Sequence, residues 1–194
     1  GLTGNERVMD AYCGIGTIGL IASRDAREVI SVELNPDAVR DAVTNAKRNQ
    51  IKNVSFYQND AGAFMVSMAE KGEKADIVFM DPPRAGSDEA FLSSVVTLSP
   101  KKVVYVSCNP ETLARDLRYL TKHGYKAEEA WGYDMFAWSE HVESIVLLSK
   151  LKSNKLKHIN VELEMDELDL MAAESKAIYA EVKDYVSEAK RIES

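Results

Sequence analysis

Strand-like and helix-like segments alternate along most of the chain. Residues 103–107 form an apolar, β-branched run typical of a buried strand, and Asn109-Pro110 follows as a helix cap and first helical residue. A second apolar run, residues 29–33, is followed in the same way by Asn35-Pro36. This alternation predicts parallel strands joined by crossover helices, because a tight turn cannot join two parallel strands.

The segment after residue 124 departs from this alternation. Residues 125–133 and 143–148 both read as strands, and the connection between them is too short for a crossover helix. The two strands therefore form a hairpin, so one of them must run antiparallel to the rest. The sequence predicts an α/β fold with a mostly parallel, seven-stranded sheet and one reversed strand late in the chain.

The composition changes after residue 151. A polar linker, residues 152–155, precedes an alternating apolar pattern and then a predicted helix over residues 169–188. We predict one domain over residues 1–151 and a C-terminal appendage, strand then helix, over residues 152–194. The appendage could equally be a packing arm on the main domain. The start at Gly1, with the first strand following almost at once, suggests a piece of a longer protein.

Charge and composition limit the classes of protein. The formal net charge of −7 argues against a free-standing nucleic-acid binder, because phosphate contact needs a basic face. It does not exclude an enzyme whose RNA contacts lie elsewhere. We expect a soluble, cytoplasmic protein, since the sequence has neither a membrane-span-length apolar run nor a signal peptide. Its two cysteines lie too far apart to hold an iron–sulfur cluster, and no metal site is expected.

A glycine-rich turn follows the first predicted strand. Gly14, Gly16 and Gly19 have the spacing of a dinucleotide fingerprint, and Glu33 stands near the position of a ribose-binding carboxylate. The same turn would also serve S-adenosylmethionine, so the glycines alone do not choose between the cofactors. Asp60 after the third strand could accept from an adenine amine. No residue set suggests the hydride-accepting site that a dehydrogenase would need.

Cys108 lies between a predicted strand and a predicted helix. In such sheets ligands bind at the carboxyl ends of the strands, and a helix N-terminus favours negative charge. This is a suitable place for a nucleophile, although a buried structural cysteine fits the pattern as well. In the helix that follows, Glu111 and Arg115 are spaced to pair on the outer side.

Four motifs together resemble the catalytic domain of the RNA 5-methyluridine (uracil-C5) methyltransferases, with the 23S ribosomal RNA type as the best match. They are DAYCGIGTIG at residues 10–19, DPPR at 81–84, YVSCNPETLARDL at 105–117, and DMF at 134–136 followed by HVES at 141–144. The resemblance covers nearly all of residues 2–150. It implies a Rossmann-like class I fold, S-adenosylmethionine as cofactor and an RNA substrate, ribosomal more than transfer RNA.

The resemblance also implies roles for individual residues. Cys108 corresponds to the nucleophile that adds to uracil C6, and Glu143 to the base that removes the C5 proton. The implied cofactor-binding residues are Tyr12, Gly14, Gly16, Thr17, Glu33, Asp60 and Asp81. The family's upstream half would precede Gly1, so we expect the chain alone to bind cofactor weakly and to methylate poorly.

Two other functions remain open at this point. Nucleic-acid amino-group methyltransferases also carry Asp-Pro-Pro after the fourth strand, but they need an aromatic residue next, where this chain has Arg84. They have no need of Cys108. The second alternative is a non-catalytic cofactor-binding or RNA-binding module. The sequence does not indicate the oligomeric state.

Overall fold

The computed structural model describes residues 1–135, residue 138 and residues 142–151. Strands and helices alternate in the order that the sequence predicts, as far as the hairpin at the end. The strands are β1 (Arg7–Ala11), β2 (Glu28–Glu33), β3 (Val54–Gln58), β4 (Ile77–Met80), β5 (Lys102–Ser107), β6 (Tyr125–Tyr133) and β7 (Glu143–Lys150). The helices are α1 (Thr17–Ala22), α2 (Pro36–Arg48), α3 (Ala61–Glu70), α4 (Glu89–Leu98) and α5 (Pro110–Lys122).

The seven strands form one sheet in the order β3-β2-β1-β4-β5-β7-β6. The first five in this order are parallel to one another, and β7 lies between β5 and β6 and runs antiparallel to both. The predicted mostly parallel sheet with one late reversed strand is confirmed. The predicted appendage over residues 152–194 lies outside the described residues.

Local signals account for where the helices begin. Asn35, Asp60, Asp88 and Asn109 are the N-caps of α2 to α5, and each side chain accepts a backbone N–H of the first turn. Pro36 and Pro110 occupy the first helical position, where the missing N–H costs nothing. In the part of the chain that the structure describes, no helix is both long and apolar enough to cross a membrane.

Alternate residues of the central strands serve two separate cores. Met9 of β1 and Val78 of β4 belong to the larger core cluster, in which α3, α4 and α5 also take part. Their neighbours Val8 and Ile77 belong to a smaller cluster that includes Ala22 of α1. Because successive side chains of a strand point to opposite faces, the sheet is covered on both sides.

Gly19 allows α1 to lie directly against the sheet. Its backbone N–H donates to Asp10 Oδ2 at 2.8 Å, and Asp10 is paired with Ser31 across β1 and β2. A Cβ atom at Gly19 would lie 2.7 Å from both Asp10 Oδ2 and Ser31 Oγ. Any larger residue would therefore push the helix away from the strands that end at the glycine-rich turn.

We expect Gly19→Ala to lower the free energy of unfolding by about 1–3 kcal/mol, the usual cost of overpacking a tight site. Equilibrium urea unfolding measures this. Gly62→Ala in α3 is the matched control, because its added Cβ would approach nothing closer than Asp60 Oδ1 at 3.2 Å. An equal loss of stability in both variants would contradict the packing argument.

Candidate active site

The predicted site residues all lie near one edge of the sheet. In a parallel sheet the carboxyl ends of the strands share an edge, and β7 begins at that edge because it runs the opposite way. The turn after β1 holds Tyr12, Gly14, Gly16 and Thr17, while Glu33 ends β2, Asp60 follows β3, Asp81 follows β4, Cys108 follows β5 and Glu143 begins β7.

The glycine-rich turn has a left-handed backbone at three positions. The φ angles of Tyr12, Gly14 and Gly16 are 62°, 53° and 86°. A Cβ at Gly16 would lie 3.1 Å from the Phe56 ring, so this glycine is needed for packing. A Cβ at Gly14 would meet nothing within 4 Å, which leaves open space above the turn for a ligand to approach the backbone.

Glu33 holds the glycine-rich turn in place. Its Oε2 accepts the backbone N–H of Gly14 at 3.0 Å, and its Oε1 accepts that of Asn35 at 2.8 Å. Each oxygen has a second lone pair that can accept from a ligand hydroxyl. The half-buried carboxylate is thus fixed at the edge of the open space above Gly14.

Tyr12 adopts a backbone conformation that is uncommon for a residue with a Cβ. Such conformations cluster at functional sites, because the surrounding structure must hold them in place. The Tyr12 ring packs on Phe91 of α4 with 5.3 Å between the ring centroids. Burial raises the pKa of the Tyr12 hydroxyl, so this side chain stays neutral at physiological pH.

Asp60 and Thr17 have simpler surroundings. Asp60 Oδ1 accepts the Ala63 N–H at 2.8 Å as the N-cap of α3, while its side chain remains exposed. Thr17 is exposed at the start of α1 and lines an open depression of about 210 Å³ between α1 and α2. Both residues lie at this edge of the sheet, but neither is enclosed.

Three carboxyl groups influence one another across the centre of the site. Asp10 is 1% exposed, and burial together with the charge of Asp81 raises its pKa to about 7, although the Gly19 N–H opposes this. Partial desolvation and the charge of Glu143 raise the pKa of Asp81. Burial likewise raises the pKa of Glu143. The three carboxyls therefore make the site favourable for a bound cation.

Cys108 and Glu143 are the residues just beyond the last pair of the β5–β7 ladder. The β5–β7 ladder ends with Ser107 paired to Ser144. The next residues outward are Cys108, directly after β5, and Glu143, the first residue of β7. On the side of β7 away from β5, Glu143 pairs with Tyr133 of β6. Cys108 is half-buried, whereas Cys13 is buried. Phe136 and His141, which belong to the last sequence motif, lie outside the described residues.

The sequence matches the model of the tRNA (uracil-5-)-methyltransferase family over residues 3–151. The chain belongs to the uracil-C5 RNA methyltransferase family. It is 48% identical over 147 residues to an uncharacterized RNA methyltransferase of Halalkalibacterium halodurans, with 76% of this chain and 32% of the relative covered. A similar relative from Enterococcus faecalis is 47% identical, with coverage of 77% and 33%. The chain thus spans about one third of the length of the curated relatives it matches.

A solved structure also resembles this chain. It is the tRNA (uracil-54, C5)-methyltransferase of Pyrococcus abyssi in complex with S-adenosyl-L-homocysteine, at 32% identity and a TM-score of 0.65. The likeness covers 76% of this chain and 35% of the archaeal one. The expected Rossmann-like class I methyltransferase fold and the enzyme class are confirmed, whereas the choice between ribosomal and transfer RNA is not resolved.

The surroundings of Cys13 differ from what a nucleophile in this family would need. Burial and the neighbouring carboxylates Asp10 and Glu33 raise the pKa of the Cys13 thiol to about 12. A thiol with so high a pKa is neutral at physiological pH and unreactive. Cys13 has no predicted catalytic role, and its raised pKa is that of a buried structural thiol.

The way the loop after β4 is held was not predictable from the sequence. Arg115 of α5 does not pair on the outer side as predicted. Its guanidinium binds the adjacent Asp116 and the carbonyl oxygens of Ala85 and Ser87 in that loop. The spacing of Glu111 and Arg115 suggested an ordinary helix pair, and no local pattern indicates a loop 28 to 30 residues away as the partner.

We expect Asp10→Asn to change how stability depends on pH. The folded state keeps a proton on Asp10 up to about pH 7, whereas the unfolded chain releases it near 3.8. Raising the pH through this range therefore lowers the unfolding free energy of the wild type, by at most roughly 1.4 kcal/mol per pH unit from this group. The variant lacks this contribution.

Urea unfolding of both proteins between pH 4.5 and 7.5 measures the effect. The unfolding free energy of the wild type minus that of Asp10→Asn should fall as the pH rises, which removes contributions common to both proteins. A difference that stays constant over this range would mean that the Asp10 pKa is not raised.

Proposed function

We propose that this chain is the catalytic part of an enzyme that transfers a methyl group from S-adenosylmethionine to C5 of a uridine in RNA, through a covalent bond between Cys108 and uracil C6. The observation that carries the proposal is the register of β5 and β7. The ladder ends at Ser107 and Ser144, and the next residue of each segment is a half-buried thiol or a half-buried carboxylate, at the same edge as the glycine-rich turn.

Cys108 is the proposed nucleophile. C5 of uracil is too weak a nucleophile to take a methyl group directly. Addition of the Cys108 thiolate to C6 breaks the C5–C6 double bond and gives C5 the character of an enolate carbon. The family to which the chain belongs and the position of Cys108 between β5 and α5 both support this assignment.

Glu143 is the proposed general base. After methylation C5 carries both the new methyl group and its original proton. Removal of that proton by Glu143 restores the C5–C6 double bond, and the bond between C6 and sulfur breaks to return the Cys108 thiolate. Burial raises the pKa of Glu143, which brings it closer to the operating pH of a general base.

The residues of the turn fit S-adenosylmethionine, whose positively charged sulfonium supplies the methyl group when it is bound. Gly14 leaves open space above a left-handed backbone, and Glu33 offers fixed carboxylate lone pairs to the ribose hydroxyls. We assign Asp60, which follows β3 at the same edge, as the acceptor of the adenine amine. A bound cation also relieves the repulsion among the carboxyls Asp10, Asp81 and Glu143.

The RNA substrate is proposed from the family to which the chain belongs. Ribosomal RNA remains the prediction, and the archaeal relative is a transfer RNA enzyme, so both RNAs belong in the assay. Because the chain spans about a third of its relatives, activity is to be measured on the full-length protein. We place this activity in the cytoplasm.

We expect Cys108→Ala to abolish methyl transfer while S-adenosylmethionine binding stays within a few fold. The decisive measurement incubates full-length protein with the cofactor and with ribosomal or transfer RNA carrying 5-fluorouridine. Fluorine at C5 cannot leave as a proton, so the reaction stops at the covalent complex. Mass spectrometry should find a methylated RNA adduct on Cys108 in the wild type and none in the variant.

Cys13→Ala is the matched control, since it removes the other cysteine from the same domain and should leave the adduct in place. Turnover retained by Cys108→Ala would exclude covalent catalysis through this thiol. No adduct from a wild type that binds both cofactor and RNA would favour amino-group methylation or a binding role.

We expect Glu143→Gln to stall the reaction one step later. Glutamine cannot take the C5 proton, so with ordinary uridine RNA the methylated adduct on Cys108 should accumulate and product release should fall at least about 100-fold. Gel mobility and mass spectrometry of the denatured mixture measure the adduct. A variant that releases methylated RNA at the wild-type rate would exclude Glu143 as the base.

A further inference from the structure

The loop after β4 is bound through its backbone to the start of α5. Arg84 O accepts from Asn109 Nδ2 at 3.0 Å and from Thr112 Oγ1 at 3.2 Å. Ala85 O and Ser87 O accept from Arg115 Nη2 at 3.0 and 2.9 Å. These contacts hold the path of the loop through its carbonyl oxygens.

Asp116 is the centre of this arrangement. Its side chain is fully buried, at 0% exposure. Its Oδ1 accepts from Arg115 Nε at 2.8 Å, and its Oδ2 accepts from the Ser87 N–H at 2.8 Å and from the Tyr105 hydroxyl at 2.6 Å. A buried carboxylate is costly unless its oxygens are satisfied in this way. One side chain thus joins β5, α5 and the loop. We call Asn109, Thr112, Arg115 and Asp116 the α5 clamp.

The clamp leaves no room for a side chain at Gly86 of the loop. Gly86 has φ 73°, and a Cβ on it would lie 2.5 Å from Arg115 Nη2 and 2.8 Å from Asp116 Oδ2. Its N–H donates to Pro83 O at 2.8 Å and closes a turn. Pro82 and Pro83 restrict the backbone between Asp81 and the clamped segment. Asp81 is therefore held from two sides, by its own N–H, which donates to Ala11 O at 3.4 Å, and by the restricted segment that leads to the clamp.

The clamp joins two groups of the candidate site that lie beyond the ends of their strands. Asp81 directly follows β4, and Cys108 directly follows β5. The parallel pairing between these strands ends at Met80 and Tyr105. Beyond that point the described contacts that join the two segments are those of the clamp.

We propose that Asp116 is a positioning residue, which through Arg115 and the Ser87 N–H holds the Asp81 loop against the start of α5 and so keeps the proposed cofactor-binding residue Asp81 and the proposed nucleophile Cys108 in a fixed arrangement. The proposal rests on the proposed function. Asp116 itself is buried behind the loop and touches neither cofactor nor RNA. Because a shift of about 1 Å in a reacting group can cost on the order of 100-fold in rate, a loosened loop should slow the chemistry.

The test compares three variants of the full-length protein. Asp116→Asn replaces one acceptor oxygen with a donor at nearly constant shape, and Arg115→Lys removes the fork that holds two loop carbonyls. Arg115 is 56% exposed, so the lysine variant should fold even where the asparagine variant is unstable. Tyr125→Phe is the control for lost stability, because it removes a buried hydroxyl bond, 3.0 Å to Pro100 O, away from the clamp.

The measured quantity is the rate of adduct formation on Cys108 with a mixture of ribosomal and transfer RNA carrying 5-fluorouridine. It is taken at saturating cofactor and RNA, below every unfolding midpoint. We expect Asp116→Asn to lower this limiting rate at least about tenfold and Arg115→Lys to lower it less. The half-saturating concentrations of S-adenosylmethionine should change less than threefold, and Tyr125→Phe should react as the wild type does.

Wild-type limiting rates in both clamp variants would overturn the positioning role. An equal fall in Tyr125→Phe would also overturn it, since the effect would then follow stability alone. If the wild type forms no adduct at all, both the proposed function and the positioning role are wrong. The two outcomes above would exclude the positioning role alone, because in them the wild type still forms the adduct.

Discussion

Parallel pairing from β3 through β2, β1 and β4 to β5 places most of the candidate functional side chains at one edge of the sheet. Parallel strands end at the same edge, so turns that are far apart in sequence meet there. The strand order reverses between β1 and β4, and the crossover helices therefore leave toward opposite faces. Beyond the ends of these two strands lie Gly14, with open space above it, and Asp81, whose charge helps to raise the pKa of Asp10.

The antiparallel strand β7 brings the first residue of a strand to an edge where a purely parallel sheet has only strand ends. Because β7 runs antiparallel to β5, its first residue lies at the carboxyl ends of the others. Glu143 therefore arrives at the edge from the beginning of a strand, beside the end of β5 that leads to Cys108. A side chain on a strand is held more rigidly than one on a loop, which suits the proton removal proposed for Glu143.

Local physics explains why much of this was predictable from the sequence. A cap such as Asn109, a helix-starting proline such as Pro110 and an apolar run of strand length are each encoded within a few residues. The hairpin followed from the length of one connection. The α5 clamp was not predictable, because Asp116 joins Tyr105 to Ser87, which lies 29 residues from Asp116. In the helical pattern Asp116 looked like any polar residue, although it is fully buried.

The electrostatics of the site follow from the meeting of several strand ends at one edge of the sheet. Each carboxyl of the group Asp10, Asp81 and Glu143 stands at or near a strand end for its own local reason, and together they repel. A fold would not keep such a cluster for stability, since each charge there costs free energy until a cation or a proton compensates it. The raised pKa of Asp10 shows that in the free protein a proton is what compensates. A bound sulfonium would take over part of that role, so cofactor binding should release protons between about pH 5 and 7, a coupling that calorimetry in buffers of different ionisation enthalpy can detect.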